Sequence, residues 1–68
     1  MRDVYSSMVS QVGYDDETKE LLVKFSKSGK VAAYQGVPLE LATQLANAPS
    51  VGSMLTNEIK PYYPFRYR

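Results

Sequence analysis

A chain of 68 residues with neither cysteine nor histidine has to hold itself together by burying apolar side chains and little else. It can form no disulfide, and no zinc site of the sulfur and nitrogen ligands that staple many small domains. A domain of this size hides only about 60% of the surface that its unfolded chain exposes, so it can build one core and no second. The sequence therefore reads as a single domain, residues 1–68. The lack of cysteine fits a reducing compartment. Arg2 followed at once by Asp3 is unlike a secretory signal, and the longest apolar run, Val31 to Tyr34, is far too short to cross a bilayer. A cytoplasmic protein with no membrane partner is expected.

Hydrophobic periodicity divides the chain in two. Residues 8–14 are rich in strand formers and lead into a polar turn, Asp15 to Lys19. Val9 and Val12 stand three apart rather than two, which predicts a bulge or strand end near Gly13. Leu21, Val23 and Phe25 then alternate with Leu22, Lys24 and Ser26, the period of a half-buried strand. A short loop ending in Gly29 precedes a third strand, Lys30 to Gln35. Connections this short allow only antiparallel neighbours.

Proline punctuates the second half. Pro38 suits the first turn of a helix, where its missing N–H is not needed, and Leu41, Ala42, Leu45 and Ala48 recur at helical spacing. Pro49 closes that helix, Ser50 is placed to cap a second, and Val51, Leu55 and Ile59 follow four apart until Pro61. The expected fold is α+β: a three-stranded antiparallel β-meander, two short α-helices and an extended aromatic and basic C-terminal tail. Leu21, Val23, Phe25, Leu41, Leu45, Leu55 and Ile59 are the expected core, and Phe25→Ala is expected to cost about 3 to 5 kcal/mol.

Several ordered segments carry a resemblance. Val9 to Asp15 (Val-Ser-Gln-Val-Gly-Tyr-Asp), Leu21 to Phe25, Tyr34-Gln35-Gly36-Val37-Pro38, Ala48-Pro49-Ser50-Val51-Gly52 and Ile59-Lys60-Pro61-Tyr62 occur in an order and at spacings similar to the KTSC domain. That family is named for a segment at the C-terminus of some lysyl-tRNA synthetases and includes stand-alone small proteins of bacteria and phages. The resemblance implies RNA binding by association with the synthetase, and it implies no activity. The family usually has Tyr-x-Tyr in its central strand, whereas this chain has Ala32 and Tyr34. If the tyrosines stack on bases, half the platform is missing; if they are core, a larger neighbour should compensate for Ala32. Thr56 stands where an asparagine is frequent, with Asn57 beside it.

Catalysis has little to work with. Without histidine or cysteine there is no Ser-His or Cys-His pair, and the four glycines are too scattered to wrap a phosphate. Asp15, Asp16 and Glu17 form an acidic run, but it lacks the spaced oxygen ligands of a calcium loop and reads as a solvated turn. No cofactor and no metal are expected. Tyr14 and Tyr34 read first as core edges whose hydroxyls reach water or backbone, and second as recognition residues. Ser50 and Gly52 read as a helix cap and a close approach between helices.

Charge then points to the tail. Residues 1–58 hold five basic and seven acidic side chains, whereas residues 59–68 hold Lys60, Arg66 and Arg68 and no acid. Tyr62, Tyr63, Phe65 and Tyr67, half of all the aromatic residues, lie in the same stretch. Rings that stack bases beside cations that meet phosphates are how single-stranded nucleic acid is held. Tyr34, Lys60, Tyr62, Tyr63, Arg66, Tyr67 and Arg68 are therefore the candidate binding residues, for RNA or another single strand. The competing reading packs the tail's aromatics across the sheet. A second class of partner is a host protein docked on the tail, since tyrosine and arginine dominate interface hot spots. A third is a small molecule or nucleotide held at an oligomer interface.

Overall fold

The computed structural model describes residues 2–3 and 8–68. Its strands are β1 (Arg2–Asp3), β2 (Val9–Asp15), β3 (Glu20–Phe25), β4 (Val31–Gln35) and β5 (Phe65–Tyr67). They form one antiparallel sheet whose spatial order follows the chain, β1-β2-β3-β4-β5. The expected meander, β2 to β4, is its centre. The tail is extended, as its prolines suggested, but it is not a free segment: it returns to the sheet and pairs with β4. An unpaired β4 would expose a row of backbone donors and acceptors, and β5 covers that edge.

The bulge exists, at a different place from the one expected. Val9 pairs with Phe25 and Gln11 with Lys24, so one extra residue sits between Val9 and Gln11, while Gly13 pairs regularly with Leu22. Two valines three apart reach the same buried face only if one residue is looped out between them. Both are buried. Beyond β2 the turn is held by the Asp15 carboxylate, whose Oδ1 accepts the N–H of Glu17 at 3.1 Å and of Thr18 at 3.4 Å. Gly36, at φ +75°, makes the left-handed turn out of β4 that a side chain would resist.

Helix α1 (Leu39–Ala46) begins directly after Pro38, which sits at the cap with extended backbone rather than inside the first turn. It buries Ala42 and Leu45 and stops at Asn47, whose side-chain amide donates to the Thr43 carbonyl at 3.0 Å. Ser50 does occupy the cap of α2 (Val51–Met54), but its side chain makes no capping bond. Helix α2 runs straight into a π-helical turn, Leu55–Ile59, in which the Lys60 N–H donates to the Leu55 carbonyl at 2.8 Å. On an α-helix, residues four apart drift by about 40° at each step. A wider turn takes up that drift, and Val51, Leu55 and Ile59 are all buried.

Helices and sheet enclose a core of Val9, Val12, Leu21, Val23, Ala32, Tyr34, Val37, Ala42, Leu45, Val51, Leu55 and Ile59. Phe25 and Leu41, expected inside, are only half-buried at its margin. Phe25 is the last residue of β3, beside an exposed loop, so its ring is covered on one side. Tyr34, at 1% exposure, takes the central place instead.

Candidate functional site

The residues singled out in the tail are positioned by its pairing with β4. Tyr34 faces Phe65, Ala33 faces Arg66 and Ala32 faces Tyr67. Two further backbone bonds anchor the ends, from the Gln35 N–H to the Pro64 carbonyl and from the Arg68 N–H to the Val31 carbonyl, each 2.8 Å. Successive strand residues point to opposite faces. Phe65 and Tyr67 therefore share the helix-bearing face with Tyr34 and Ala32, and Arg66 emerges on the open face.

On the helix-bearing side three rings form a ladder. Tyr34 and Phe65 lie with centroids 5.2 Å apart, tilted by 35°. Phe65 and Tyr67 meet edge to face at 5.4 Å. Tyr34 is the buried rung, so its ring is packing rather than an accessible platform; Phe65 and Tyr67 are exposed. Burial, and secondarily the neighbouring Tyr67, raises the pKa of the Tyr34 hydroxyl above its ordinary 10.0. Lys30 places its ammonium 5.1 Å from the centroid of the Tyr67 ring, a cation–π contact. Tyr62 is exposed in the turn before β5, Tyr63 is half-buried against the core, and Lys60 is exposed at the end of the π-helical turn.

The arginines are engaged elsewhere. Arg66 lies 3.6 Å from Glu20 Oε2, and Arg68 lies 3.4 Å from Glu20 Oε1 and 3.7 Å from Asp15 Oδ2. Thr18 donates its hydroxyl to Glu20 Oε1 at 2.9 Å. The Glu20 side chain is only 4% exposed, those of Arg66 and Arg68 66% and 44%. Two acids and two guanidiniums thus cancel in charge, and they do so on the face turned away from the rings. At β5 the fold sets the arginines and the rings of Phe65 and Tyr67 on opposite faces of the sheet. Composition alone missed this, although the alternation Phe65-Arg66-Tyr67-Arg68 carries it.

Tyr14 resolves differently. Its hydroxyl donates to the Val37 carbonyl at 2.6 Å and ties β2 to the segment between β4 and α1. Among the described residues, no group of three or more acidic, histidine or cysteine side chains is placed to hold a metal ion. Among the same residues, no helix is long and apolar enough to cross a membrane.

A KTSC domain family model matches residues 5–63. The chain belongs to the KTSC domain family. An uncharacterized protein of Stutzerimonas stutzeri is 39% identical to it over 62 residues, covering 91% of this chain and 84% of the relative. The crystal structure of a KTSC domain protein from Yersinia pestis is similar over 98% of this chain and 93% of that one, with a TM-score of 0.90 at 28% identity. In this KTSC domain the family match ends at Tyr63, two residues before β5. The Tyr-x-Tyr position that holds Ala32 is fully buried, and Tyr67 stands directly across the ladder from it. Tyr67 is thus the large residue across from Ala32, but it stands exposed at the sheet edge and outside the core.

Proposed function

We propose that this KTSC domain is a non-catalytic, cytoplasmic interaction module that takes a protein partner on β5. The reading is carried by the exposed rings of Phe65 and Tyr67 on β5, beside arginines whose charge Glu20 already balances. Phe65 at 43%, Tyr67 at 57% and Tyr62 at 71% exposure are large apolar surfaces offered to water by a domain short of core. Aromatic anchors of this kind carry much of the energy of protein interfaces. A nucleic-acid strand needs stacking rings and unpaired cations along one groove. In β5 the alternation separates arginines from rings, and Lys30 stands over the Tyr67 ring.

The test is capture from bacterial lysate by the immobilised domain, with and without ribonuclease, beside a Phe65→Ser/Tyr67→Ser variant whose folding is checked by circular dichroism. A protein retained after ribonuclease and lost with the folded variant is the expected result. Capture abolished by ribonuclease points to the nucleic-acid reading instead. In that case, affinity for a labelled RNA should fall with salt at a log–log slope of about −0.7 for each phosphate contact.

A further inference from the structure

We infer that the outer edge of β5 accepts an extended segment of a partner protein in which an acidic residue stands between two apolar ones. The inference deepens the protein-partner reading and rests on it. β5 is the last strand of the sheet, and its three residues are all exposed. The β4 ladder uses one side of its backbone, and the other side is turned outward. Extended segments add to such edges through main-chain hydrogen bonds, with alternate side chains supplying the specificity.

Register then sets the chemistry. A strand laid beside β5 places the neighbours of Phe65 and Tyr67 on the helix-bearing face, where they extend the ladder of Tyr34, Phe65 and Tyr67. Those neighbours should be apolar or aromatic. The neighbour of Arg66 falls on the open face. There the acids lie inside and the cations outside: Glu20 is 4% and Asp15 32% exposed at the side chain, against 66% for Arg66 and 44% for Arg68. An approaching strand therefore meets guanidinium, and an acidic side chain fits it. The pattern reads the same in both directions, so either polarity of the added strand satisfies it. A second copy of this chain fits poorly, because antiparallel pairing of two β5 strands sets Arg66 against Arg66.

The probe is a capped heptapeptide alternating valine and glutamate, titrated into the isotope-labelled full chain and followed by amide chemical shifts. The control carries lysine for glutamate. The glutamate peptide is expected to move the amides of residues 65–68, to slow exchange of outward-facing β5 amides, and to bind about tenfold more tightly than the control. Arg66→Gln, confirmed as folded by its melting temperature, should remove most of that preference. Equal binding of the two peptides, shifts centred on Met8 and Phe25 instead of β5, or no binding of either at millimolar concentration would overturn the inference. The protein-partner reading survives that failure if lysate capture still resists ribonuclease and still needs Phe65 and Tyr67.

Discussion

Arg66 reaches back across β4 to Glu20, so the charge of the outermost strand is neutralised by a carboxylate two strands inward. The partners are unequal. The arginines are substantially exposed and can return to water, whereas Glu20 lies beneath them. Breaking the pair from the two sides should therefore differ. Glu20→Gln frees solvated cations and is expected to cost about 1 kcal/mol. Replacing both arginines with methionine keeps the cover and strands a buried carboxylate, at about 3 kcal/mol. Replacing both with alanine lets water in and should fall between. Urea midpoints rank the three, and an equal loss in all would show that Glu20 does not depend on its cover.

Tyr34 should be the costliest single truncation in the sheet. Its side chain is fully enclosed, so Tyr34→Ala is expected to lose about 3 to 5 kcal/mol, whereas the half-buried Phe25 should lose nearer 2 kcal/mol. Denaturant unfolding of the two variants gives the order, and a larger loss at Phe25 would reverse the assignment of the core.

The raised pKa of Tyr34 has its own signature. Because the folded state keeps a proton that the unfolded chain releases near pH 10, this contribution is fully present below that pH. Stability falls as pH rises from there toward the folded-state value. Tyr34→Phe should flatten the decline that sets in as pH rises past about 10. A wild-type decline that persists unchanged in the variant would place its origin in other groups.

Tyr14→Phe removes only the hydroxyl that holds the Val37 carbonyl at 2.6 Å. The loss should be about 1 to 2 kcal/mol, since the carbonyl acceptor is left without that donor. An unchanged thermal midpoint would mean that water replaces the bond without cost.

Local signals were readable wherever a segment's structure depends on its own neighbours. Leu21, Val23 and Phe25 mark β3 by alternation, Pro38 and Pro49 bracket α1, and the four-residue spacing of Val51, Leu55 and Ile59 marks one buried face. Features that depend on remote residues were not readable. β5 is three residues long and is defined by its pairing with β4, about 30 residues earlier in the chain. The contact of Arg68 with Glu20 joins residues 48 apart in the chain, and no window of sequence contains both. Reading the tail by composition put rings and cations together, whereas reading it by alternation separates them. The exact place of the bulge needed the cross-strand partners of Val9 and Val12, which only the register supplies.

The ring ladder also makes β5 optically visible. The protein has no tryptophan, so its near-ultraviolet spectrum comes from six tyrosines and two phenylalanines. Only rings held in a fixed asymmetric setting contribute to near-ultraviolet circular dichroism, and that signal vanishes when tertiary packing loosens. Tyr34, Phe65 and Tyr67 are coupled at centroid distances of 5.2 and 5.4 Å, and two of the three belong to β5. Detachment of this one strand would thus dim the aromatic dichroism while the far-ultraviolet bands of the helices persist, giving a label-free meter of strand docking in solution.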